Sequence, residues 1–99
     1  MPRQKKQKDL DRFLLKLYIA GKTENSLRAQ KNIEQICEKF LNQNYELEVI
    51  DIIEDPRRAL KDGVIVTPTL VKVLPHPEVK VIGDLSDEES IRAALGLSE

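Results

Sequence analysis

Apolar positions along this chain switch between a period of two and a period of three to four, and each switch marks an element boundary. Arg12–Ala20 puts Phe13, Leu15, Leu17 and Ile19 on one face, while Leu14, Tyr18 and Ala20 leave only Lys16 polar on the other. Near-continuous hydrophobicity predicts a strand buried on both faces, at the centre of an α/β sheet. Gly21 ends it, and Lys22–Ser26 offers several N-cap residues. A helix is predicted from about Ser26 to Leu41, because Ala29, Ile33, Ile36, Cys37, Phe40 and Leu41 form one stripe opposite Arg28, Lys31, Glu34, Gln35, Glu38 and Lys39. Asn42-Gln43-Asn44 reads as a turn. Tyr45–Ile53 reads as a second strand, with Leu47, Val49 and Ile53 against Ile50 and Ile52. Such a strand–helix–strand unit predicts parallel strands and a right-handed crossover.

Asp55 as N-cap and Pro56 at the first helical position open a short helix through Lys61 or Asp62, which Gly63 stops. The stretch Val64–Val73 then places Thr67-Pro68-Thr69 at the mouth of an apolar strand, where a proline removes no ladder hydrogen bond. The Thr67–Pro68 bond is open to either isomer, since cis lies only about 0.5–1 kcal/mol above trans before proline. Leu70–Leu74 and Val79–Ile82, joined by Pro75-His76-Pro77-Glu78, predict a hairpin. Ser86 and Glu89 have capping-box spacing ahead of a last helix whose stripe is Ile91, Ala94 and Leu95, with Gly96 as its stop. The predicted order is β-α-β-α-β-β-α.

Composition narrows the function classes. With 99 residues, 40% hydrophobic and 33% charged, the chain is an ordinary globular profile of one domain, expected over residues 12–99. A net charge of −1 gives no overall pull toward nucleic acid or an anionic membrane. No apolar run reaches the length of a membrane span, and the N-terminus lacks the apolar core of a secretory signal. Residues 1–11 carry Arg3, Lys5, Lys6 and Lys8 without interleaved aromatics, and read as a disordered, solvated arm more than as a nucleic-acid contact. One cysteine cannot form an internal disulfide, which fits the cytoplasm. Cys37 lies in the apolar stripe and reads as core, and His76 reads as a surface turn residue without metal-ligand neighbours. Carboxylate pairs such as Asp51 and Glu54, or Asp87 and Glu88, read as solvated or capping groups. No glycine loop for phosphate is present, and no cofactor is expected.

A parallel βαβ half followed by a ββα half, with proline before the third strand, resembles the thioredoxin-like fold. The resemblance implies a four-stranded mixed sheet with helices on both faces and a cis Pro68. Redox thioredoxins carry Cys-x-x-Cys where the first strand meets the first helix. Here that place is Gly21-Lys22-Thr23-Glu24-Asn25-Ser26, so thiol–disulfide exchange is excluded. Ser26 or Tyr18 could activate glutathione as in glutathione transferases, but the helical domain those enzymes add is absent. No enzyme is expected.

Leu15-Lys16-Leu17-Tyr18-Ile19-Ala20-Gly21, Thr23, Asn25-Ser26, Arg28-Ala29, Val49-Ile50-Asp51, Pro56, Thr67-Pro68-Thr69-Leu70, Leu74-Pro75 and Ile82-Gly83-Asp84-Leu85-Ser86 together resemble the KaiB family of circadian clock proteins. The resemblance implies a non-catalytic binding module that docks on a hexameric KaiC-type ATPase, and a family in which a tetrameric ground-state fold exchanges with a thioredoxin-like one. It implies a homo-oligomer, dimer or tetramer. A neighbouring possibility is an adaptor, similar to the sensory domain of KaiC-linked histidine kinases, that binds a kinase or another signalling protein. The partner face implied by the fold is Lys22, Thr23, Glu24, Asn25 and Ser26 with Thr67, Pro68 and Thr69. The exposed side of the second strand, Glu46 and Glu48, is a second candidate edge, and either set could be mere solvated surface.

Three departures separate the chain from the cyanobacterial pattern and imply a non-cyanobacterial homologue. Lys22 and Glu24 replace the usual Asn and Pro, the acidic C-terminal tail is missing, and Ala94 and Gly96 stand where the clock proteins carry glycine and aspartate. Alanine exceeds glycine in a helix by about 1 kcal/mol, so Ala94 is expected to favour the thioredoxin-like state roughly fivefold if that position is helical only there.

Overall fold

The computed structural model describes residues 12–97. The predicted arm at 1–11 lies outside the described residues, as do the last two positions. The strands are β1 (Phe13–Ile19), β2 (Tyr45–Asp51), β3 (Thr69–Leu74) and β4 (Val79–Ile82). The helices are α1 (Glu24–Ile36, continued by a π-helical turn Cys37–Leu41), α2 (Pro56–Lys61) and α3 (Glu88–Ala94).

The sheet has the order β2-β1-β3-β4. β1 runs parallel to β2, with Phe13 opposite Tyr45 and Ile19 opposite Asp51, and antiparallel to β3, with Tyr18 opposite Thr69. β3 and β4 form the antiparallel hairpin. As its sequence predicts, β1 is buried on both faces. Leu15, Leu17 and Ile19 join Ala29, Ile33, Ile36, Leu70, Ile91 and Leu95 under α1 and α3. Tyr18 joins Ile50, Ala59, Val64 and Val71 under α2. No described helix is long and apolar enough to cross a membrane.

Several boundaries differ from the sequence expectation, each for a local reason. α1 begins at Glu24, not Ser26, because Thr23 is the N-cap and its hydroxyl accepts from the Ser26 amide at 3.3 Å. The helix end widens into the π turn, which shifts the phase of the apolar stripe. Phe40 is therefore 37% exposed rather than core, and its ring lies 5.5 Å from the Lys39 ammonium and 5.0 Å from the Arg92 guanidinium. β2 stops at Asp51, two residues short of Ile53, because the Asp51 carboxylate turns back to accept from the Ile53 amide at 3.0 Å. Asp55 holds the N-cap position of α2 without a side-chain capping hydrogen bond.

At α3 the Ser86–Glu89 capping box does not form. Asp87 is the N-cap, accepting from the Ser90 amide at 3.2 Å and the Ser90 hydroxyl at 2.8 Å. Those bonds, the hydroxyl first, hold the Asp87 carboxyl below the usual aspartate range. Ser86 instead donates its amide to the Asp84 carboxylate at 3.1 Å. The Thr67–Pro68, Leu74–Pro75 and His76–Pro77 bonds are all cis, and His76 is exposed.

Mutation separates the true cap Thr23 from the bystander Ser86. Thr23→Ala is expected to destabilise the protein by about 1 kcal/mol in urea unfolding, while Ser86→Ala leaves it within about 0.5 kcal/mol. Equal losses in the two variants would contradict the assignment of Thr23 as a cap and Ser86 as a bystander.

Candidate partner-binding face

Strand directions bring four loops to one end of the sheet. β1 and β2 finish there, at Ile19 and Asp51, and β3 starts there at Thr69, opposite Ile82 at the end of β4. The first loop, the loop after β2, the Thr67-Pro68 loop and the Gly83 loop therefore share one rim. Asp51 ties the first two together, since its carboxylate accepts from the Gly21 amide at 3.0 Å as well as from Ile53. The Gly21 backbone is left-handed, with φ +66°, and a Cβ there would stand 3.3 Å from Ile53 Cδ1. The other two loops are joined by the Gly83 amide, which donates to the Pro68 carbonyl at 3.0 Å.

The sequence-derived face divides into presented and supporting residues. Lys22, Thr23, Glu24 and Asn25 are exposed, although Thr23 is occupied as a cap and Glu24 accepts from the Arg28 guanidinium at 2.6 Å. Ser26 is 1% exposed and Thr69 2% exposed, so neither presents a side chain to a partner. The Ser26 hydroxyl accepts from the Ala20 amide at 3.2 Å, and the Thr69 hydroxyl donates to the Val66 carbonyl. Pro68 is buried and Thr67 half-buried. These residues shape the rim from beneath.

Glu46 and Glu48 lie apart, on the outer strand β2. Glu46 is exposed, 3.8 Å from the Arg12 guanidinium. Glu48 receives two hydrogen bonds of 3.0 Å from Arg58, which hold its carboxyl below the usual glutamate range. That pairing links α2 to the sheet edge, so Glu48 is less available than its sequence position implies.

Sequence reasoning missed the apolar character of the rim. Ile65 is 95% exposed, Ile53 68%, Ile82 64% and Val66 42%. Val64-Ile65-Val66 had the composition of a strand entry, but only Val64 reaches the core. The signal available in sequence was the pair of β-branched residues immediately before Thr67-Pro68, where chain reversal leaves no sheet face to cover them.

The nucleophile candidates are enclosed. Burial, and then the Glu34 carboxylate, push the Cys37 thiol up to about 12. At neutral pH it is a thiol, not a thiolate. Tyr18 is 0% exposed and its hydroxyl has no hydrogen-bond partner among the described residues. Among the described residues, no group of three His, Cys, Asp or Glu side chains could hold a metal ion.

A family model described as the KaiB domain matches residues 16–97. The chain is 48% identical over 85 residues to the circadian clock oscillator protein KaiB of Microcystis aeruginosa, covering 86% of this chain and 82% of that protein. It is 47% identical over 85 residues to KaiB1 of Synechocystis, covering 86% and 81%. Among solved structures, the N-terminal domain of Synechococcus elongatus SasA superposes with a TM-score of 0.70 at 24% identity, covering 90% of this chain and 88% of that one. Fasciola hepatica thioredoxin gives a TM-score of 0.70 at 16% identity, covering 99% and 91%. These likenesses show the thioredoxin-like fold.

The Glu48–Arg58 contact sets a pH test. A depressed folded-state pKa adds stability that is present above the unfolded glutamate value and is lost as pH falls through the folded one. In Arg58→Gln, the Glu48 carboxyl is expected to titrate at higher pH than in the parent, read by carboxyl-carbon NMR. An unchanged titration would dismiss the pairing as the cause.

Proposed function

This chain belongs to the KaiB family, and we propose on that premise that it is a non-catalytic regulator that binds a hexameric KaiC-type ATPase and modulates its signalling, in circadian timing or in stress and environmental adaptation. The observation that supports binding is the rim, where Ile53, Ile65, Val66 and Ile82 stand in water at one end of the sheet. Exposed apolar side chains spread along one rim offer anchors for a protein partner, and their burial supplies the favourable term. Lys22 and Asn25 border that surface as its polar margin, with Glu24 held by Arg28. The chain's own thiol is protonated and its two candidate hydroxyls are buried, which supports a binding role over a chemical one.

The regulator is proposed to rest in the thioredoxin-like state. Ala94 closes α3, and its helix propensity stabilises a helical position where glycine would weaken it. The chain is further proposed to act in the cytoplasm and to self-associate as a dimer or tetramer.

Size-exclusion chromatography with the KaiC-type ATPase of the same organism tests the binding reading. A complex is expected whose amount differs between ATP and ADP, and the free protein's elution volume reports its own oligomeric state. Ile65→Asp is expected to weaken the complex by about tenfold or more while leaving the unfolding midpoint unchanged, because the side chain is already in water. No complex with either nucleotide, from two folded proteins, would redirect the assignment to an adaptor for a histidine kinase or another signalling protein. For the resting state, Ala94→Gly is expected to raise any alternative fold about fivefold in saturation-transfer NMR. An unaltered minor population would remove Ala94 as a determinant.

A further inference from the structure

Among the described residues Lys72, on β3, is the one charged side chain that is buried, at 4% exposed. A lysine so enclosed is ordinarily paired with a carboxylate. Other lysines of the fold find partners. Lys16 stands 3.5 Å from the Asp62 carboxylate, Lys39 stands 3.2 Å from Glu88, and Lys80 donates to the Asp62 carbonyl at 3.2 Å. Lys72 has no ion pair among the described residues. The enclosed side-chain atoms without a partner are the Tyr18 hydroxyl and Arg92 Nε, so the Lys72 ammonium keeps its tip in water while its stem is covered.

Strand pairing shows what surrounds it. Lys72 lies opposite Leu15 of β1 on one side and Val79 of β4 on the other. Leu15 and Leu70 belong to the core cluster beneath α1 and α3, against which Phe13, Val81 and Leu97 are packed. Val71 and Val73 turn to the other face of the sheet. The neighbouring carboxylates are placed elsewhere. Glu78, next to Val79, lines the cleft on that other face with Lys16 and Lys61. In α3 the carboxylates stand in the first turn, at Glu88 and Glu89, and Ile91–Leu97 contains none. Lys72 lines neither that cleft nor the one against α1. It is a cation in an aliphatic collar, three residues along β3 from Thr69 and so about 10 Å from the rim.

We infer that Lys72 is a second docking point, which receives an aspartate or glutamate side chain that a partner protein carries between aliphatic residues. An ammonium already stripped of much of its water loses little more on pairing, and the collar keeps water from the pair once it forms. The charge sets the sign of the occupant, and the aliphatic surround sets its context. A lone carboxylate stays hydrated, whereas one flanked by leucine or isoleucine completes the collar. The core does not account for the ammonium, since an aliphatic side chain of similar volume at position 72 would pack as well. The site lies away from the rim and does not rest on binding of an ATPase.

NMR titration of the isotope-labelled full chain tests this assignment. The probe is an acetylated leucine-glutamate-leucine amide tripeptide, compared with its glutamine counterpart and with sodium acetate. The glutamate peptide is expected to shift the Lys72 side-chain nitrogen and the amides of Leu15 and Val79, and to bind at least about tenfold more tightly than the glutamine peptide. Lys72→Met is expected to abolish that preference and Lys72→Arg, which keeps the charge, to retain it. Glutamate and glutamine peptides binding alike, neither peptide binding, or a preference that survives in K72M would each overturn the proposal. Acetate producing the same shifts at the same concentration would mean an adventitious ion only, and would overturn it as well. Should the variants fail to fold, the peptide pair and acetate on the parent still decide it.

Discussion

The two-sided burial of β1 is the constraint on which the rest of the structure depends. A strand with Leu15, Leu17 and Ile19 on one face and Tyr18 on the other needs cover above and below, and neighbours along both edges. α1 and α3 supply one cover and α2 the other. β2 and β3 supply the edges, which forces the parallel crossover on one side and the antiparallel hairpin on the other. The covers are unequal. α1 is long and buries a full stripe, whereas α2 buries Ala59 alone and adds the exposed Arg58–Glu48 pair at the sheet edge.

From that arrangement the rim follows. Once β1 and β2 end together and β3 begins beside them, the connecting loops share a single end of the sheet. Their backbone hydrogen-bonding groups need partners that no neighbouring strand provides. Asp51, Ser26 and Thr69 are spent on this task, each bonding a backbone group of the loops. The polar residues that resemble a binding motif in the sequence are thus partly the scaffold of the face. The side chains left for a partner are the apolar ones that found no place in the core.

The same division of labour explains the polar residues on α1. Arg28, Asn32 and Lys39 read in sequence as an ordinary solvated flank, yet they reach the segment before α3, Arg28 and Asn32 at Asp84 and Lys39 at Glu88. A helical flank reveals its spacing and charge but not its neighbour, which arrives 52 residues later in the case of Asn32 and Asp84.

The number, order and type of the elements were legible in the chain, because hydrophobic period and the local chemistry of Gly21, Pro56, Gly63 and Gly96 act over a few residues. So were the burial of β1 on both faces, the core position of Cys37, and the family, which is carried by contiguous motifs. What the sequence could not settle was competition. Thr23 against Ser26 and Asp87 against Ser86 as caps, Asp51 against two more residues of strand, and the π turn that turned Phe40 outward were each decided by which bond the packed chain could complete. Exposure of Ile65 and burial of Ser26 and Thr69 were likewise tertiary outcomes. Hydrophobicity records what a side chain prefers, and only the assembled sheet determines which of those preferences there is room to satisfy.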